Sequence, residues 1–122
     1  MSYGFVYIMA NGALPDLFKV GFTTGSPFKR AKELSGSTSV PEEFEVVCYA
    51  EFTNAAANEA RIHQLLADLR VSDRREFFSG PFSRLYAAVM DRSYALALCD
   101  HHAAVYQWDE DHPALKSFVG FE

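Results

Sequence analysis

The chain of 122 residues lacks the features that mark several classes of protein. Its two cysteines, Cys48 and Cys99, are too few for a disulfide scaffold, and neither belongs to the C-x-x-C pair typical of a structural zinc site. No apolar run approaches the roughly 20 residues of a membrane span, and the N-terminus lacks the basic region and cleavage site of a secretory signal. We therefore expect a cytoplasmic protein with no membrane partner.

The chain also lacks an excess of positive charge, since its formal net charge is −5. Residues 1–90 hold nine Lys or Arg and ten Asp or Glu, whereas residues 91–122 hold two and six. Six of the basic residues before position 91 lie in two groups: Lys29, Arg30, Lys32 and Arg70, Arg74, Arg75. This distribution is compatible with a basic face on the first part of the chain or with an ordinary mixed surface.

Short elements with clear boundaries fill the first ninety residues. Three strands are predicted, at 4–9, 17–22 and 44–52. Three helices are predicted: about nine residues beginning at Pro27, roughly 55–69, and about 82–98. The order β-β-α-β-α-α predicts an α+β domain over residues 1–90, with a small three-stranded antiparallel sheet flanked by helices. We expect residues 91–122 to form an acidic extension packed on this domain.

The same patterns predict local details. Turn formers around Asn11-Gly12 predict that the first two strands form a hairpin, and Ser26 and Thr53 or Asn54 are the expected helix caps. Gly21 predicts a bulge or a close backbone approach. Alternation puts Phe44, Val46, Cys48, Ala50 and Phe52 on one face of the third strand. The expected core faces of the last two helices include Ile62, Leu65, Leu66, Leu69, Leu85, Ala88, Val89 and Leu96.

Four polar side chains stand out within these elements: Tyr7, Lys19, Arg30 and Glu59. Singly, each has an ordinary structural explanation, as a half-buried strand residue or a solvated helix residue. Together, their order resembles the GIY-YIG nuclease superfamily over residues 3–78. GFVYIM stands at the first motif with Tyr7, FKVGFT at the second, SPFKRAKEL on the arginine helix and NEARIHQLL on the glutamate helix. KVGFTT, PEEFEV and REFF are most similar to a phage and bacterial branch.

The resemblance implies a metal-dependent endonuclease that hydrolyses DNA, and elementary chemistry assigns the same roles. Glu59 would hold one Mg²⁺ or Mn²⁺, since Mg²⁺ needs few protein ligands beside its waters. Arg30 would stabilise charge on the phosphate. Tyr7 would position or deprotonate the attacking water. Lys19 replaces the second tyrosine of the family, and of the roles open to it (cation, phosphate contact, base) we favour phosphate contact.

Other polar residues have two explanations each. His63 shares a helix face with Glu59, so it could orient Glu59, transfer a proton, bind substrate, or simply pack on the helix surface. Glu76 stands near the position where many members have asparagine; it could bond a catalytic or backbone group, or pair with a neighbouring arginine. Thr23 and Thr24 could donate to phosphate or shape a turn. The second basic group, Arg70, Arg74 and Arg75, could contact the nucleic-acid backbone or belong to a solvated loop.

Two alternatives belong to other functional classes. A catalytically silent nucleic-acid-binding domain is motivated by Lys19 and by Leu34, which stands where better-studied members often have His or Tyr. A protein-interaction module is motivated by the negative net charge. The expected partner is DNA, duplex or single-stranded. Residues 91–122 could form a homodimer contact or mask the basic face.

Overall fold

Five strands and three helices form the part of the chain that the structure, a computed structural model, describes: residues 2–36, 42–71 and 76–100. The strands are β1 (Gly4–Asn11), β2 (Leu17–Thr23), β3 (Phe44–Phe52), β4 (Phe77–Ser79) and β5 (Ala97–Cys99). The helices are α1 (Pro27–Ser35), α2 (Ala55–Leu65) and α3 (Phe82–Val89), with a 3-10 turn at Ala67–Leu69. The predicted α+β class is confirmed, but the prediction of three strands is wrong. The two extra strands have three residues each, which is too short for a period-2 pattern.

All strand pairs in the sheet are antiparallel, in the order β4-β2-β1-β3-β5. The predicted hairpin of β1 and β2 is confirmed, and β1 is the central strand. Tyr7 of β1 has Gly21 of β2 on one side and Tyr49 of β3 on the other. This register places the tyrosine of the first motif beside the glycine of the second.

The helices α1 and α2 begin where the sequence predicts, because side-chain caps satisfy backbone N–H groups of their first turns. The Ser26 hydroxyl accepts from the N–H of Phe28 at 3.1 Å, and Pro27 occupies the first position of α1. The side-chain oxygen of Asn54 accepts from the N–H of Ala57 at 3.2 Å and caps α2. These caps fix the starting points of the two helices that carry Arg30 and Glu59.

The two faces of the sheet are covered differently. The helices α2 and α3 pack on one face, where the larger apolar cluster includes Val6, Ile8, Val20, Phe52, Ile62, Leu66, Phe78, Phe82, Leu85 and Val89. Among the described elements, only α1 packs against the other face, which buries a smaller cluster of Tyr7, Met9, Ala31 and Val46. Polar side chains therefore gather on the face that α1 only partly covers.

A β-bulge corrects the predicted alternation of β3. Ile8 pairs with Cys48 but Met9 pairs with Val46, so Val47 is an extra residue in β3. Val46 therefore faces α1, while Val47 and Cys48 both belong to the larger cluster. The prediction that 44, 46, 48, 50 and 52 share one face is wrong, because one inserted residue reverses the alternation from that point on.

Two helix ends also differ from the prediction. The helix α2 ends at Leu65, whose side chain is 54% exposed rather than in the core. The helix α3 ends at Val89, and Leu96 is 58% exposed just before β5. Asp91 explains the second break, because its carboxylate accepts from the N–H of Ser93 at 2.9 Å and forms a local turn. The N–H of Leu96 then donates to the Glu51 carbonyl at 2.7 Å and leads the chain into the sheet.

The extension is described only in its first ten residues, 91–100, which include β5. The predictions for residues 101–122, including the homodimer contact, fall outside the described residues. Within the described ranges, none of the helices is both long and apolar enough to cross a bilayer.

Candidate active site

The centre of the candidate site is the bare backbone of Gly21. A Cβ added there would lie 2.7 Å from the Tyr7 hydroxyl oxygen and 2.7 Å from Oε1 of Glu76. Two functional side chains, one from β1 and one from the residue just before β4, thus converge over this glycine. The predicted close approach at Gly21 is confirmed, and only glycine leaves room for both groups.

Arg30 reaches this centre from α1. Its guanidinium interacts electrostatically with the phenol of Tyr7, and its Nη1 lies 3.3 Å from Oε1 of Glu33 at the surface. Burial raises the pKa of the Tyr7 phenol more strongly than Arg30 lowers it. Tyr7 is therefore a neutral phenol at neutral pH, held in place by a cation.

Glu59 approaches the centre from α2, on the other side of the sheet. Its side chain is 14% exposed, and its carboxyl interacts with that of Glu76. Burial and the neighbouring charge and hydrogen bond of Glu76 raise the pKa of Glu59 to about 7, although Lys19 and Arg70 oppose the shift. Two carboxyl groups thus meet in a partly dry site, an arrangement that is typical of catalytic and metal-binding centres.

One oxygen of this pair is incompletely satisfied. Oε2 of Glu59 is buried and has no hydrogen-bond partner among the residues that the structure describes. Leaving a buried carboxylate oxygen unpaired costs free energy, so a ligand that contacts this atom would remove that cost. The atom fits a divalent cation, which prefers carboxylate oxygen as a ligand.

His63 lies next to Glu59 on α2 and contacts strand β2. Its Nε2 donates to the Val20 carbonyl at 2.8 Å, and since a carbonyl only accepts, this nitrogen carries the proton. The same nitrogen lies 3.9 Å from Oε2 of Glu59, and the ring packs on Phe78 with 5.1 Å between centroids. His63 therefore joins α2 to β2 and lies beside Glu59 without a hydrogen bond to its Oε2 atom.

Lys19 is held by Glu76 rather than left facing solvent. Its Nζ lies 3.1 Å from Oε1 of Glu76 and 5.6 Å from the centroid of Phe77, and its side chain is 13% exposed. The backbone carbonyl of Glu76 also accepts from the N–H of Val20 at 2.9 Å. The main chain and an ion pair therefore fix Glu76 beside Glu59.

Two hollows flank this centre. One of about 280 Å³ is lined by hydroxyls and cations, including Thr23, Thr24, Ser26, Lys29 and Arg30. The other, of about 680 Å³, runs along α2 and is lined by Glu59, Arg61, His63, Gln64 and Arg70. Each hollow thus has both cationic and carboxylate side chains in its lining.

A family model, the T5orf172 domain, matches residues 4–92, which contain every element described above from β1 to α3. The chain belongs to the T5orf172 domain family. This domain is phage-associated and related to the GIY-YIG/HNH-like nuclease clade, so membership favours a nuclease or DNA-binding role. No curated protein and no solved structure matches the chain.

Within the T5orf172 domain, the fold brings the five predicted catalytic side chains close to one another. They are Tyr7, Lys19, Arg30, Glu59 and His63. Thr23 and Thr24 line the smaller hollow, and Thr23 also shapes the turn, since its hydroxyl accepts from the Gly25 N–H at 3.2 Å. Arg70 lines the larger hollow, whereas Arg74 and Arg75 lie outside the described residues.

Glu76 belongs to the centre, although the sequence left it with two explanations and did not assign it to the site. Its position before the apolar pair at 77–78 marks it as the start of a strand, and nothing local distinguishes a site carboxylate from a partner of nearby arginines. The described residues include no cluster of three or more His, Cys, Asp or Glu side chains suited to a metal. A cation here would therefore rely on one or two carboxylates and water, as Mg²⁺ often does.

Proposed function

We propose that the protein is a GIY-YIG-type endonuclease that hydrolyses DNA phosphodiester bonds with a divalent metal ion held by Glu59. The observation that carries the proposal is the buried, unpartnered Oε2 of Glu59, placed beside Glu76 and close to the Arg30–Tyr7 pair. Membership in the T5orf172 family supports the nuclease class. Metal dependence and the choice of DNA are part of the proposal.

Glu59 would hold Mg²⁺ or Mn²⁺, with Glu76 as its nearest carboxylate neighbour. The metal, when bound, would neutralise phosphate charge and stabilise the departing oxygen. The carboxyl of Glu59 must be ionised to act as a ligand, and burial beside Glu76 disfavours this form in the free protein. Lys19 offsets part of that cost, because its charge lowers the pKa of Glu59.

Arg30 would bind the phosphate whose bond is cleaved. Its side chain is 41% exposed, and its surface contact with Glu33 is a long one that a phosphate oxygen can replace. A guanidinium presents a planar pair of donors that matches phosphate geometry. The charge is permanent, so Arg30 would stabilise the additional negative charge of the transition state at any working pH.

Tyr7 would orient the attacking water. Its neutral hydroxyl, near Arg30 and next to the bare backbone of Gly21, can accept from a water and donate to a phosphate oxygen. Because burial raises the pKa of Tyr7, the chain supplies a positioning hydroxyl here rather than a ready phenolate base. The same observation favours the second candidate function, a domain that binds DNA without cleaving it.

The test is cleavage of plasmid and single-stranded DNA in Mg²⁺, Mn²⁺ or EDTA. The wild-type chain is compared with Glu59→Gln and with Glu43→Gln, a matched change at an exposed glutamate. We expect cleavage that needs metal, is lost in Glu59→Gln and is kept in Glu43→Gln. DNA binding without cleavage by the wild type under every metal condition would establish the silent binder instead.

A further inference from the structure

Four aromatic rings form a connected strip on the face of the sheet that carries α1. Their contacts run from Tyr3 to Phe5 at 5.8 Å, from Phe5 to Tyr49 at 5.5 Å, and from Tyr49 to Phe28 at 5.9 Å between centroids. All three contacts are edge-to-face. The two ends of this aromatic strip remain open to solvent, with Tyr3 50% and Phe28 45% exposed.

The aromatic strip (Tyr3, Phe5, Tyr49 and Phe28) adjoins the smaller hollow. Phe28 precedes Lys29 on α1, and Phe5 is the direct strand partner of Thr23; both Lys29 and Thr23 line the hollow. An exposed apolar surface beside a hydroxyl-lined, cationic hollow has the two chemistries that a nucleotide presents, a flat base and a charged phosphate.

The carboxylates near the strip already have partners. Glu51 accepts a hydrogen bond from the Tyr3 hydroxyl, and Glu33 pairs with Arg30 at the rim of the hollow. The positive charges of Lys29 and Arg30 therefore dominate the side on which a phosphate would lie. This asymmetry orients a bound nucleotide, with its phosphate toward α1 and its base over the rings.

We infer that the aromatic strip stacks against unpaired bases, so that the substrate strand is single-stranded DNA where it leaves the site. The inference rests on the proposed function and specifies its substrate. In a duplex the base faces are already stacked on their neighbours, so exposed side-chain rings outside the helix gain nothing from them. In a single strand each base offers a face, and stacking on an aromatic side chain strengthens binding without sequence preference.

The experiment measures binding in EDTA, so that metal-dependent cleavage does not interfere. Labelled single-stranded DNA and a duplex of equal length are titrated with wild type, Phe28→Leu, Phe28→Trp and Leu65→Ala. Phe28→Leu keeps apolar bulk but removes the flat ring, Phe28→Trp restores one, and Leu65→Ala alters an equally exposed apolar residue on α2. A strand containing 2-aminopurine reports stacking directly through loss of its emission.

We expect Phe28→Leu to weaken single-strand binding by about 5- to 100-fold, the range of one lost base stack. Duplex binding should change by less than about 2-fold, and Phe28→Trp should restore both single-strand affinity and the quenching of 2-aminopurine. Leu65→Ala should match the wild type. Unchanged single-strand binding in Phe28→Leu, or an equal loss for both substrates, overturns the inference.

The experiments can reject the nuclease proposal and the stacking inference independently of each other. Metal-dependent cleavage with no effect of Phe28→Leu keeps the nuclease and rejects the stacking strip. Single-strand binding that depends on Phe28 but never leads to cleavage keeps the strip and rejects the nuclease. A wild-type chain that binds neither DNA substrate rejects both, and an apolar strip that recognises protein becomes the explanation.

Discussion

The two faces of the sheet differ in what they bury. Toward α2 and α3, the core cluster consists of apolar side chains, including Ile62 and Phe78, that are fully buried. Toward α1, a small cluster that includes Tyr7 lies beside the ion pair of Lys19 and Glu76. The first face supplies the free energy of folding through burial, and the second uses that rigid support to hold charged groups close together. Stability and chemistry should therefore respond to different substitutions.

Arg30→Ala should have the largest effect on chemistry and little effect on folding. We expect cleavage to fall by about 10²- to 10³-fold, the usual loss when one donor to a transition-state oxygen is removed. The urea midpoint should stay near the wild-type value, because the guanidinium is partly exposed. Lys32→Ala removes the same charge from an exposed position of α1 and is the control. Equal losses in both variants would mean that Arg30 contributes only general positive charge.

Ile62→Ala should have a large effect on folding and little effect on cleavage. Ile62 is fully buried between α2 and the sheet, so truncating it should lower the free energy of unfolding by about 2–5 kcal/mol. Leu65→Ala, on the same helix but exposed, should cost less than about 0.5 kcal/mol. Urea denaturation measures both values. Cleavage by the folded fraction of Ile62→Ala should stay within a few-fold of wild type, and a collapse of that activity would show that the two faces are not independent.

Gly21→Ala tests the crowded point where the side chains of Tyr7 and Glu76 meet over the backbone of β2. The new methyl would lie 2.7 Å from the Tyr7 hydroxyl oxygen and must displace a ring that is itself buried. A displacement of about 1 Å at a catalytic group is enough to lower the rate about 10²-fold. In Gly36→Ala the added methyl meets only ordinary contacts, the nearest at 3.5 Å, so cleavage should be unchanged. Normal cleavage by Gly21→Ala would place the reacting atoms elsewhere.

Much of the candidate site was predictable from the sequence because its signals are local. Ser26-Pro27 marks the start of α1, and the hairpin pattern brings Tyr7 beside Gly21. Helix spacing places His63 on the same side of α2 as Glu59. Each of these relations spans a turn, a hairpin or one helical turn, so propensity and periodicity are sufficient to predict it.

The relations that sequence analysis missed are long-range or depend on a single inserted residue. Glu76 lies 57 positions from Lys19, and only the pairing of β4 with β2 brings the two together. The strand β5 forms because β3 offers an open edge, not because three residues carry a strong strand pattern. The bulge at Val47 reverses the faces of half a strand whose alternation appears regular in the sequence.

The smallest expected effect is a dependence of stability on pH that arises from Glu59. The pKa of Glu59 is about 7 in the folded protein and near the ordinary value of 4.5 in the unfolded chain. Between these pH values, the folded state therefore holds a proton that the unfolded state has released. The free energy of unfolding should therefore fall as pH rises from about 4.5 to about 7, and the full cost should remain above that range. Thermal melting in EDTA across this range measures the slope.

Glu59→Gln isolates this contribution because the amide is neutral at every pH. Relative to wild type, the variant should gain a few degrees in melting temperature near pH 8 and should lose part of the decline between pH 4.5 and 7. Mg²⁺ or Mn²⁺ should raise the melting temperature of the wild type at pH 8 but not that of Glu59→Gln, because a ligand that binds only the folded state stabilises it. If the melting temperatures of the two proteins depend on pH in the same way, with and without metal, then ionising Glu59 does not destabilise the fold. The polar face would then be an ordinary structural surface.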